Sequence, residues 1–173
     1  MNRILKVLRN AVWLPAVCST VGASLYASMA VAERDDKVIA TLHAEGAQIY
    51  ECKLDPKSPS DRHALIWQFR EPVASLFVDG KTIGRHYAGP NWDHIDGSGV
   101  NAKVTASTPG TGPGDIAWLD LEVVGRRGNG ILSDAATVQR VNTRGGMASG
   151  SCEVAGSFLD VPYSADYVFR RKS

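Results

Sequence analysis

The densest run of chemically capable side chains is His86 to Ser98, HYAGPNWDHIDGS. It holds two imidazoles (His86, His94), two carboxylates (Asp93, Asp96) and two aromatic rings (Tyr87, Trp92). Imidazole and carboxylate together suit a zinc, manganese or iron ion with open coordination positions. His94 and Asp96 are two residues apart and share a face if the segment is a strand, and His86 can reach them across a hairpin. His86, His94 and Asp96 would then be ligands and Asp93 a general base to a bound water, the outline of a metal-assisted hydrolase or lyase. The spacing matches neither the His-Glu-x-x-His of a zincin nor the His-x-His of a cupin. The simpler reading is structural: a backbone carbonyl satisfies His86, and Asp93 and Asp96 cap turns. No metal or other cofactor is assigned.

Tyr87, Trp92 and Trp118 form a second constellation. Trp118 shares a strand face with Asp120 and Glu122, which leaves its ring exposed or half-covered. Rings beside carboxylates and amides are how a β-domain holds a sugar or a peptide, the ring giving apolar contact and the polar groups fixing orientation. The competing reading is a second small core under the long loops. The candidate ligand-binding residues are therefore His86, Tyr87, Trp92, Asp93, His94, Asp96 and Trp118. Ser98 is not a nucleophile elbow, because Asp96 stands where glycine is required; Gly97 and Gly99 read as turn residues. Gly110-Thr111-Gly112-Pro113-Gly114 lacks the lysine of a P-loop. Gly145-Gly146 could form a backbone anion nest near Arg140 and Arg144, although a plain loop is the simpler reading.

The compartment in which these groups work is legible at the N-terminus. Arg3, Lys6 and Arg9 precede an apolar stretch from Ala11 to Ala32 that ends in Ala30-Val31-Ala32, the pattern of a cleavable secretory signal. Pro15, Cys18 and several Ser, Thr and Gly residues dilute the stretch below what a lasting membrane anchor requires. The expected organisation is a signal peptide over 1–32 and one domain over 33–173, periplasmic or secreted, with no membrane contact after cleavage. Of 19 Lys and Arg, three lie in the leader, leaving 16 against 18 Asp and Glu and a net charge of −2. That balance argues against a nucleic-acid partner. Two cysteines remain, Cys52 and Cys152, and in an oxidising compartment they most simply form one disulfide; the alternative is a pair of thiols outside any Cys-x-x-Cys motif.

The elements that must position these residues are strands. Alternation places Leu65, Trp67 and Phe69 on one face, and Ala74, Leu76 and Val78 lead into the hairpin signal Asp79-Gly80. Ala117, Leu119, Leu121 and Val123 are expected inward, as are Tyr163, Ala165, Tyr167 and Phe169. Val38 to His43 and Ala47 to Leu54 read as separate elements, with Gln48 partly outward. Ile131-Leu132 reads as a short strand, Thr137 to Asn142 as another, and 107–115 as a long loop. About eight to ten short strands with closely spaced turns make an all-β antiparallel sandwich or barrel.

Several segments together resemble the domain-of-unknown-function family 3455, found in secreted bacterial and fungal proteins. They include Gly46 to Cys52 (GAQIYEC), Gly84 to Trp92 (GRHYAGPNW), Asp96-Gly97-Ser98, Ile116 to Leu119 (IAWL), Gln139 to Gly146 (QRVNTRGG), Cys152, and Val161 to Tyr167 (VPYSADY). Asp120 interrupts the leucine-rich segment usual after Trp118. The resemblance covers the mature chain in order. It implies a secreted single domain with a Cys52–Cys152 pairing, and it implies no activity. With no complete catalytic set, the expected function is non-catalytic binding of a small ligand, glycan or envelope protein. The metal-assisted enzyme and, by fold analogy alone, a periplasmic enzyme inhibitor are the alternatives.

Overall fold

The computed structural model describes residues 37–59 and 64–172, so the expected signal peptide lies outside the described residues. Eight strands follow one another: β1 (Lys37–Leu54), β2 (Leu65–Val78), β3 (Lys81–Tyr87), β4 (Asn91–His94), β5 (Gly99–Thr108), β6 (Trp118–Arg127), β7 (Thr137–Gly145) and β8 (Phe158–Arg171). Each pairs antiparallel with the next, and β1 also pairs with β8, which closes the sheet into a barrel. Between sandwich and barrel, which alternation alone left open, the chain forms the barrel.

The local sequence explains the turns and most of the inner face. Asp79 and Gly80 both take left-handed φ values (49° and 73°), the conformation a two-residue hairpin between β2 and β3 needs. Ala74 and Leu76, Leu121 and Val123, and Tyr163, Ala165, Tyr167 and Phe169 are buried as the alternation requires. Small residues face large ones across β1 and β8: Ala40 opposes Phe169, Gly46 opposes Tyr163, and Leu42 opposes Tyr167. A Cβ at Gly46 would run into the backbone of Val73 and Ala74, so only glycine lets β2 approach β1 there. The centre of the core is Trp92, which is 0% exposed. It stacks on His86 (centroids 4.6 Å apart, 12° between planes) and meets Tyr167 and Phe169 edge-on at 5.2 and 5.8 Å.

Some expectations need correction. The two elements expected over 38–54 are one long strand. Ala40, Leu42, Ala44, Gln48 and Cys52 are buried on one parity along it, so Gln48 is inside rather than outward; the register shift at Ile49/Tyr50 places its extra residue, Arg70, on β2. Ile131 and Leu132 lie in a turn, not a strand.

The two ends of the barrel differ. At one end the segment 128–136 folds across the opening, and Leu132 and Ala135 are 0% exposed. Asp96 accepts hydrogen bonds from Ile131 N (2.8 Å), Ser98 N (2.9 Å) and Ser98 Oγ (2.6 Å). Leu132 N donates in turn to Ser98 Oγ at 3.2 Å. Burial pushes the Asp96 carboxyl up, but the donors from Ser98, Ile131 and His94 outweigh it and hold the group well below the usual carboxylate range. At the other end Cys52 and Cys152 form a disulfide, 100 residues apart in sequence, that ties the segment before β8 to the end of β1. A loop of that size corresponds to roughly 4–5 kcal/mol in the chain-entropy view.

Trp92 supplies the test of this core. Trp92→Ala should lower unfolding free energy in urea by about 3–5 kcal/mol, the range for a buried aromatic. A loss under about 1 kcal/mol would mean the ring is not the centre of the packing.

Candidate functional site

The disulfide end of the barrel is open, and a cavity of about 760 Å³ occupies it. Its walls come from the ends of β1, β2, β3, β5 and β7, and its roof is the β5–β6 loop, residues 109–117. Most of the lining is apolar: Tyr50, Phe69, Val104, Ile116 and Leu119 form the wall, with Met147 at the rim. Phe69, Val104 and Met147 are half-exposed, so the cavity presents apolar surface to solvent.

The floor is polar. Gln48, His86 and Arg140 line it, and Tyr163 and Tyr167 lie buried close by. Arg140 sits two residues after the buried Val138 on β7, so strand alternation turns it inward, where it pairs in register with Tyr167. Its Nε donates to the Ala117 carbonyl at 2.9 Å, which fixes the plane of the guanidinium. Among the described residues no carboxylate lies within ion-pair distance of it. The Gln48 Nε2 is buried without a hydrogen-bond partner of its own, while the buried Tyr163 hydroxyl interacts with Gln48 and Tyr167, and Tyr167 with Arg140. An amide donor is costly to bury unmatched. Burial raises the pKa of both phenols, and Arg140 pulls each back in part, so they are neutral donors at any physiological pH.

His86 Nδ1 lies 2.9 Å from the Asn91 carbonyl, which can only accept, so the proton is on Nδ1. Burial pushes the His86 pKa down to about 4; the Asn91 carbonyl opposes the shift and the Arg140 charge adds to it. The ring is neutral at pH 7, with Nε2 as an acceptor.

The roof is tied by one carboxylate. Asp115 Oδ1 accepts from Gly145 N (2.7 Å), and Oδ2 accepts from Gly112 N (2.9 Å) and Thr111 Oγ1 (3.2 Å). The hydrogen bond from Gly145 is the main reason its pKa is lowered. The backbone donor that the sequence offered as part of an anion nest is therefore occupied by the chain's own Asp115. Gly146 has φ 89°, and a Cβ there would press on Ile116 and Tyr163 at 2.7 and 2.9 Å. The Tyr50 hydroxyl donates to its carbonyl at 2.7 Å.

The seven residues singled out in the sequence fall in four places. His86 and Trp92 are inside the barrel, His86 on the cavity floor and Trp92 in the core. Tyr87 and Asp93 point outward, where Arg85 donates to Asp93 (3.0 and 2.8 Å) and Arg127 pairs with its other oxygen; Arg127 also donates to the Tyr87 hydroxyl (3.1 Å). His94 and Asp96 are at the closed end, with His94 Nδ1 3.0 Å from Asp96 Oδ1. Trp118 is half-buried beside a smaller cavity of about 140 Å³ that shares Arg140 with the large one. The trio His86, His94 and Asp96 is thus not assembled, and among the described residues no cluster of three or more His, Cys, Asp or Glu side chains could hold a metal ion. Sequence reasoning missed Gln48 and named Arg140 only as a neighbour of a possible anion nest at Gly145-Gly146. A further signal for Arg140 is a charge on the inward parity of β7, following Val138.

The family described as "Protein of unknown function (DUF3455)" matches residues 32–171, and the chain belongs to it. No curated protein and no solved structure matches the chain.

Two measurements follow from this geometry. The His86 pKa of about 4 lies below its unfolded value of 6.5. The unfolded chain therefore binds more protons between those limits, and stability falls as pH drops through them. The loss at pH 4 is about 3 kcal/mol, and His86→Gln should flatten the urea-unfolding profile between pH 7 and 4; a profile parallel to wild type would assign the titration elsewhere. Asp115→Ala should speed amide hydrogen exchange at Gly112 and Gly145 by about tenfold or more while the core amides of β8 stay protected. Unchanged exchange at both glycines would show that the roof is held by something else.

Proposed function

We propose that this member of the DUF3455 family is an exported, non-catalytic binding domain that takes one small, largely apolar ligand into the open end of its barrel. The observation that carries this reading is the 760 Å³ cavity with apolar walls and a few convergent polar groups on its floor. Sites for small molecules are commonly of this size and composition. An eight-stranded barrel is just wide enough to be filled by its own side chains or to hold one small molecule. Here aromatic rings fill the part around Trp92, and space remains at the disulfide end.

Export is supported by the basic and apolar N-terminus and by the disulfide, and it puts the protein in the periplasm or outside the cell. A small molecule fits better than a glycan or an envelope protein, because the recess is deep and the rings first marked for surface binding are scattered. Catalysis has little support in the lining. Among the described residues His86 is its one imidazole, and Asp115 is its one carboxylate, already engaged by three donors.

The direct test uses N-phenyl-1-naphthylamine, a neutral apolar dye that brightens when shielded from water. Wild type should bind it with one site per chain. Val104→Trp, on the exposed wall of the cavity, should weaken binding by about tenfold through lost space. Val78→Trp, near the opposite end of β2, should not. Absence of a saturable signal from wild type would sink the reading.

A further inference from the structure

The polar floor of the cavity is made of hydrogen-bond donors and one cation, and nothing in the described chain completes it. Arg140 presents the end of its guanidinium to the cavity with its Nε already committed to Ala117. Beside it on the lining is the amide NH₂ of Gln48, buried with no hydrogen-bond partner of its own; the phenols of Tyr163 and Tyr167 lie buried behind these two groups and interact with them. The four groups come from β1, β7 and β8, neighbouring strands around the barrel. A guanidinium is planar and pairs two N–H groups with the two oxygens of a carboxylate. The Gln48 amide can supply a further hydrogen bond to the same oxygens.

We propose that the ligand of this cavity is a monocarboxylic acid with an apolar body, its carboxylate seated on Arg140 and Gln48 and its body against Phe69, Val104 and Ile116. The inference rests on the cavity-binding reading above and names the ligand class. Charge selects one negative charge rather than two. The other charged side chains in the lining are Arg70 and Asp115. Arg70 is paired with Glu71 at 3.2 Å and lies over the Phe158 ring, and Asp115 is saturated by backbone and hydroxyl donors. Asp115 keeps its negative charge in the roof, and the charge at the floor itself is the single positive charge of Arg140. A phosphomonoester, with nearly two negative charges and three oxygens, would call for a second cation. The influence of Arg140 on His86, Tyr163 and Tyr167 agrees with a positive field over the floor. His86, kept neutral, avoids a second cation there and offers its Nε2 as an acceptor.

The experiment compares dodecanoic acid with methyl dodecanoate as competitors of N-phenyl-1-naphthylamine on the full mature chain at pH 7.5. The body is the same and only the charge differs. The acid should displace the dye roughly ten- to hundredfold more effectively than the ester, the worth of a charge-assisted pair in a partly buried site. In Arg140→Met that ratio should collapse to about one, and in Arg140→Lys it should be partly retained. Equal displacement by acid and ester on wild type overturns the proposal while leaving the cavity reading intact, and it requires no variant to fold. Dye binding that neither competitor reverses also overturns it, since a ligand of this class must enter the same space. If the dye itself does not bind, both readings fall together. A ratio that persists in Arg140→Met would move the anion site to another group.

Discussion

A sheet of eight antiparallel strands keeps two open edges unless its first strand meets its last. Here Lys37 to Glu51 runs in register with Phe158 to Arg171. That pairing removes the edges and divides every strand into residues that face in and residues that face out. Once the division is made, the inner set must pack, hydrogen-bond within the barrel, or face something that enters. Ala40, Leu42, Phe169 and Trp92 take the first course. The Gln48 amide NH₂ achieves neither of the first two. The polar character of the cavity floor is a consequence of closure.

The contrast between the ends follows from where the polar side chains fall along β4 to β7. Asp96 and Ser98 draw the backbone of Ile131 and Leu132 over one opening, and the apolar side chains of that segment complete the core. At the other end Asp115 performs a similar backbone-binding task, but the segments it joins, 109–117 and 145–147, arch over space. The same chemistry of a carboxylate accepting backbone N–H groups therefore builds a plug at one end and a roof at the other. The difference lies in the side chains presented beneath: Leu132 and Ala135 reach into the core, whereas the segment 109–117 contributes glycine, proline and threonine, which leave the volume below unfilled.

Strand alternation made much of the barrel legible in sequence. The inward sets of β6 and β8, the Asp79-Gly80 hairpin and the cysteine pair all follow from residue spacing. The site was harder to read for a physical reason. Neighbours on a strand point to opposite faces, so a segment rich in functional groups is split by its own geometry. His86 and Tyr87 end on opposite sides of the wall, and so do Trp92 and Asp93. The groups that do converge, Gln48, His86, Arg140 and the two tyrosines, come from strands distant in sequence. Gln48 has the parity of the buried Ala40, Leu42, Ala44 and Cys52, so alternation carried through the whole of β1 places it inside; dividing the strand in two hid that.

The pairing of β1 with β8 also sets an order of events. Neighbouring strands elsewhere in the barrel meet through short connections, but β1 must wait for a partner more than a hundred residues downstream. Until the last strand has been synthesised, both edges of the growing meander stay open and the aromatic ring set of β8 is missing from the core. Contacts of such long sequence separation form late and slowly. The barrel is therefore complete only when its two ends in sequence meet. The covalent link between Cys52 and Cys152, 100 residues apart, then fastens the seam that is last to close.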